Sequence, residues 1–124
     1  YTFNKAQTFM CDVVALDEFL GSKLSNLTFV KIDIEGAEYH ALKGMKRLLT
    51  KHQPVVLIEI QPFFLKGFNI EEADLMKLID GLGYELYLYD QASKKLSKHT
   101  TALIDSNYLM IPRATANQYA DIIV

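Results

Sequence analysis

The stretch Lys31-Ile-Asp-Ile-Glu-Gly-Ala-Glu38 sets two carboxylates, Asp33 and Glu35, two residues apart at the end of a β-branched run, and Glu59, followed by Gln61, closes a second such run. The two-residue period of a strand puts Lys31, Asp33 and Glu35 on one face and Ile32 and Ile34 on the other. A charged row inside a sheet needs a reason, because removing a carboxylate from water without partners costs roughly several kcal/mol, a cost most easily met around a polar ligand or a cation. Such groups at the carboxyl ends of strands stand where an open α/β sheet binds its ligand. Gly36 would let the backbone approach closely at the turn that follows. The plainer account is an ordinary helix start, where Glu35 and Glu38 each gain ~0.3 to 1 kcal/mol from the helix dipole. Asp33 lies too early for that benefit, whereas Glu38 reads as an exposed dipole contact. His40 falls on the helix side opposite Leu42 and Met45 and reads as a solvated surface histidine. His52 and His99 sit in expected loops, and no histidine pair has ligand spacing, so no metal site is expected.

The elements that must position these groups follow from pattern. Residues 8 to 14 are rich in strand formers, and Leu16 to Leu20 reads as a short helix closed by Gly21. Thr28 to Ile34 is a strand running straight into a helix whose apolar positions are Ala41, Leu42, Met45, Leu48 and Leu49. Val55 to Ile60 begins with four consecutive apolar residues, as a strand covered on both faces does. A second helix carries Leu75, Leu78, Ile79 and Leu82, with Asn69 as its cap, Glu72 completing a capping-box variant and Gly83 ending it. Two more strands, Tyr84 to Asp90 and Asn107 to Ile111, flank a solvated turn with Lys94, Lys95 and Lys98, and residues 113 to 124 suit a short terminal helix. Alternating strands and helices indicate an α/β layer, with 28–34 and 55–60 as parallel neighbours and the last two strands as an antiparallel edge pair. Three aromatics in Pro62 to Phe68 exceed what a loop needs; they would line a ligand pocket or cover the core.

Composition narrows the function classes. A chain of 124 residues fits one domain, 1–124, able to bury roughly two thirds of its unfolded surface. Half the residues are hydrophobic, which excludes a disordered chain. Thirteen basic against fifteen acidic residues lack the electrostatic footprint of nucleic-acid binding, so no nucleic-acid partner is expected. The Tyr84, Leu86, Leu88 stripe with Tyr87 and Tyr89 accordingly reads as strand packing. Cys11, the single cysteine, can form neither an intrachain disulfide nor a thiolate metal site; it reads as a small half-buried hydrophobe in a reducing, cytoplasmic setting. No apolar run approaches the ~18 residues of a membrane span, so no membrane partner is expected.

Lys31 to Glu38, continued by Leu42-Lys43-Gly44, preceded by Leu16-Asp17 and followed by Glu59, resembles the signature of the FkbM family of S-adenosylmethionine-dependent methyltransferases over roughly residues 10 to 90. The resemblance implies a Rossmann-like methyltransferase sheet, partial and mostly parallel, with Phe29 to Ile34 and Val55 to Ile60 as its fourth and fifth strands and an antiparallel terminal pair. It implies S-adenosyl-L-methionine as cofactor, Asp33, Glu35 and Glu59 as catalytic residues, and Asp33 and Gly36 as cofactor-binding residues. The family also carries a glycine-bearing loop after the first strand and an acidic residue after the second. The six glycines here, at 21, 36, 44, 67, 81 and 83, never form such a loop. The chain therefore reads as the carboxyl-terminal half of the domain, expected to bind the cofactor weakly by itself. Its first strand edge, left unpaired, would favour a homo-oligomer.

The resulting expectation is an O-methyltransferase of FkbM type acting on a small-molecule or glycan hydroxyl, of a sugar or a secondary metabolite. A non-catalytic α/β binding or oligomerisation module retaining the half-sheet is the alternative. A magnesium-dependent hydrolase using the three carboxylates ranks last, since neither further ligands nor a phosphate loop accompany them.

Overall fold

A computed structural model describes residues 7–124. Helix α1 (Leu16–Phe19) precedes strand β1 (Phe29–Ile32), helices α2 (Glu38–Gly44) and α3 (Lys46–His52), and strand β2 (Val55–Ile60). Helices α4 (Pro62–Gly67) and α5 (Glu72–Gly81) follow, then strands β3 (Tyr84–Asp90), β4 (Lys95–Lys98) and β5 (Ser106–Pro112), and a 3-10 helix (Arg113–Tyr119). No described helix is long and apolar enough to cross a membrane.

The strands form one five-stranded sheet in the order β1-β2-β5-β3-β4. β1 and β2 are parallel neighbours as expected, with Phe29 opposite Val55 and Ile32 opposite Ile58. The expected mostly parallel sheet is not found: β2–β5, β5–β3 and β3–β4 are all antiparallel. The reason is the position of β5. It lies between β2 and β3, so one reversed strand converts a potential parallel contact into two antiparallel ones. The Lys94 to Lys98 segment, expected as a solvated turn, supplies the strand β4 that pairs with β3, and Lys98 donates to Glu85 at 2.8 Å.

Burial alternates strictly along β2. Val56, Ile58 and Ile60 are fully buried, whereas Val55, Leu57 and Glu59 are half-buried. The first set packs in one core with Ile32, Leu42, Met45, Leu48, Leu49, Leu75, Ile79, Tyr108 and Met110. Helices α2, α3 and α5 therefore cover a single sheet face, which corrects the expectation of cover on both. The opposite face carries a smaller cluster of Tyr87, Leu96 and Ile111, packed by Ala116, Tyr119 and Ile123 from the chain's end.

The helix expected after β1 is broken in two at Met45. Asp17 explains the restart. Its carboxylate accepts from the backbone N–H groups of Arg47 at 2.8 Å and Leu48 at 2.9 Å, so a side chain 30 residues upstream satisfies donors in the first turn of α3. Gly44 packs beside this segment, where a Cβ would make an ordinary contact, 3.5 Å from the Ala15 Cα.

Further expectations change for identifiable reasons. Residues 8 to 14 form no strand, having no ladder partner among the described residues; Phe9, Met10 and Val13 are exposed, as is Cys11. Asn69 does not cap α5, because the helix begins at Glu72 and Asn69 sits in a left-handed turn with φ +55°. Glu72 instead accepts from Leu103 N–H at 3.2 Å. The aromatic segment after β2 is helix α4, with Leu65 in the core and Phe63 and Phe68 exposed.

Asp17→Ala removes both bonds to the α3 start. The expected cost is about 1 to 2 kcal/mol, lowering the melting midpoint by roughly 3 to 8 °C in a calorimetric scan. An unchanged midpoint would show that water caps α3 equally well.

Candidate active site

The parallel register brings the acidic groups together. Ile32 faces Ile58, and the same offset carried one residue further sets Asp33 beside Glu59. Across the antiparallel ladder on the other side of β2, Glu59 faces Asn107. Opposed residues share a sheet face, so Asn107 stands on the same face as Glu59, away from the helices. Sequence reasoning missed Asn107, because that assignment requires knowing that β5 pairs with β2; the one available signal was its place at the start of a strand.

Glu35 reaches the cluster by a different route from the one its spacing implies. β1 ends at Ile32, and Glu35 has φ +56°, a left-handed conformation outside any strand. The turn, and not the strand period, swings it into place. Asp33, Glu35 and Glu59 each present a carboxylate oxygen within 4.8 Å of the others. All three predicted catalytic residues are thus brought together.

Two effects relieve the crowding of charge. Lys31 donates to Asp33 at 2.7 Å. This bond is the main cause holding the Asp33 carboxyl below its ordinary value of 3.8, with a hydrogen bond to Glu59 next. Glu59 is pushed above its ordinary 4.5, first by its hydrogen bond to Asp33, with the Asp33 and Glu35 charges adding and Gln61 opposing. The two carboxyls act on one another, and Asp33 is the more acidic of the two. Glu59, raised on folding, contributes stability below its unfolded value and loses it as pH rises through its folded one. Asp33, lowered, contributes stability above its unfolded value and loses it as pH falls through its folded one. Both effects are damped by solvent around the pair.

Glu38 departs furthest from expectation. It is 1% exposed, not an open helix turn, and its Oε1 accepts from Gly36 N–H at 3.1 Å and Ile34 N–H at 3.4 Å. Gly36, with φ +104°, is buried beneath helix α4: a Cβ there would lie 2.6 Å from the Phe64 carbonyl oxygen. Its missing side chain makes room for protein backbone, and its N–H is committed to Glu38. The first turn of α4 consequently lies directly over the acidic turn, with Phe63, 80% exposed, set edge-to-face against Phe64. His40 is exposed as expected, its ring against those of Tyr39 and Phe68. Beside it an apolar groove of about 380 Å³ runs between Val13, Val14, Ile34, Ala37 and Gly44.

The acidic cluster stands at the carboxyl ends of two parallel strands, where open α/β sheets receive their ligands. The family model described as Methyltransferase FkbM domain matches residues 3–86, more than half of the chain, and the protein belongs to that methyltransferase family. The matched span contains Asp33, Glu35, Gly36, Glu38 and Glu59, and the family implies use of S-adenosylmethionine. No curated protein and no solved structure gives a match. The donor set fits one portion of that cofactor: open carboxylates suit a sulfonium cation. Among the described glycines only Gly36 closely follows a strand, and it is filled by Phe64.

Carboxyl carbon NMR titration should find Glu59 titrating above 4.5 and Asp33 below 3.8. In Asp33→Asn, Glu59 loses the adjacent negative charge, so its midpoint should fall. A Glu59 midpoint indifferent to Asp33→Asn would dissolve the pair.

Proposed function

We propose that the protein is an O-methyltransferase transferring a methyl group to a hydroxyl of a sugar or secondary metabolite. The observation that carries this reading is the convergence of the Asp33, Glu35 and Glu59 carboxylates at the ends of the parallel strands inside the family-matched span. S-adenosylmethionine, when bound, supplies an electrophilic methyl on a sulfonium centre. Asp33 would hold the cationic side of that group, and Gly36 would shape the turn beneath it.

The chain's own residues do the rest. Asp33, kept ionised by Lys31, accepts a hydrogen bond from the acceptor hydroxyl and orients its oxygen. As that oxygen gains a substituent its proton must leave, and the carboxylate of Asp33 or Glu59 accepts it. Glu35 and Asp33 together offset positive charge at the strand ends, while Asn107 offers an amide to a second hydroxyl of the acceptor. The exposed ring of Phe63, in the helix that lies against Gly36, offers the acceptor an apolar surface. Positioning contributes most of the acceleration in such a scheme, and proton acceptance about 100- to 10,000-fold.

A second reading, a non-catalytic binding module, draws support from β1, which pairs on one side only among the described residues and leaves Phe29 exposed. The two readings separate by methyl transfer from labelled S-adenosylmethionine to a panel of sugars and hydroxylated metabolites, which the module would not perform. Within the enzyme, Asp33→Asn preserves shape and should lower turnover at least about tenfold, equivalent to ~1.4 kcal/mol of transition-state stabilisation. Undiminished turnover in that variant would remove Asp33 from the reaction.

A further inference from the structure

Glu38 is the one charged residue in the buried set of the described residues. A carboxylate at that depth is costly, and its Oε2 has no hydrogen-bond partner. The fold alone gives little reason for it. The donors that its Oε1 accepts from belong to Ile34 and Gly36, outside helix α2, so the side chain does not serve the helix it begins. Those two donors bracket Glu35. That residue is held at φ +56°, a conformation uncommon for a side chain other than glycine, and Gly36 is held at φ +104° against the Phe64 backbone. One side-chain oxygen that accepts from both donors suits a group that must hold an unfavourable turn.

We propose that Glu38 is a positioning residue: it clamps the turn at residues 34 to 36 so that the Glu35 carboxylate stays against Asp33 and Glu59. This role rests on the reading of those three carboxylates as the site of methyl transfer, but its geometry stands without cofactor or acceptor. Glu38 acts through the backbone and touches no reacting group. The charged and polar groups facing Glu59 are Asp33, Glu35 and Gln61, with Asn107 across the ladder and Lys31 on Asp33; of these, Glu38 governs Glu35.

The experiment is a coupling cycle on the whole chain, read by carboxyl carbon NMR with no ligand present. With Glu38 intact, Glu35→Gln should lower the Glu59 midpoint, because a neighbouring negative charge is lost. With Glu38→Met, which fills the space without an acceptor, the turn opens and the same Glu35→Gln change should leave Glu59 unmoved. Glu38→Gln keeps an acceptor oxygen and should restore the coupling, a rescue that a residue needed only for packing would not show selectively. Persistence of the full coupling in Glu38→Met, or its absence with Glu38 intact, overturns the proposal. Should Glu38→Met fail to fold, amide exchange in the unaltered protein decides: Ile34 and Gly36 N–H should exchange well below open-chain rates, and open-chain exchange at both refutes the clamp. None of these measurements involves methyl transfer, so their failure would leave the proposed reaction standing, and failure of that reaction would leave the clamp intact.

Discussion

The parallel alignment of β1 with β2 is the constraint on which the rest depends. It is set by burial, since Ile32 and Ile58 oppose one another with 5% and 0% exposure and join the main core. A slip of one residue would turn Val56, Ile58 and Ile60 toward the open face and carry Glu59 into the core. Hydrophobic packing on one side of the sheet thereby dictates which carboxylates meet on the other. Neither Asp33 nor Glu59 could choose its neighbour by its own attraction, since like charges repel; the apolar residues next to them make the choice.

Four carboxylates cluster around one turn, yet their environments divide them. Glu38 is taken out of water and pays for its burial with two backbone donors, while Asp33 and Glu35 are exposed and Glu59 is half-buried. Among the outer three, the lysine beside Asp33 and the carboxylates beside Glu59 split the affinities of Asp33 and Glu59 in opposite directions. Groups of identical chemistry thus acquire different roles from location alone, the general means by which a fold runs acid and base chemistry at one pH.

Much of this was legible in the sequence, because the signals were local. The β-branched run to Ile34 and the apolar run from Val55 announced two strands, and the intervening helical pattern implied their parallel pairing. Asp33, Glu35 and Glu59 could be named because strand ends carry ligands in such sheets. What stayed hidden was non-local. Nothing near Asn107 announces that β5 inserts between β2 and β3, a choice settled by packing of Tyr108 and Met110 in the main core. Glu38 looked like a surface residue because glutamate at a helix start usually is one; only the path of the turn at residues 34 to 36 reveals two donors awaiting it. The same limit applies to Asp17, whose partners lie 30 and 31 residues away.

That last link also affects how the molecule comes apart. Helix α1 is four residues long and contributes no fully buried side chain, so by itself it would fray freely. Tied through Asp17 to the first turn of α3, it cannot peel away without stripping two N–H groups of their acceptor next to Leu48 and Leu49, which are among the most deeply buried residues of the core. Helix α1 and helix α3 therefore belong to one cooperative unit, and a segment that looks peripheral shares in the stability of the centre.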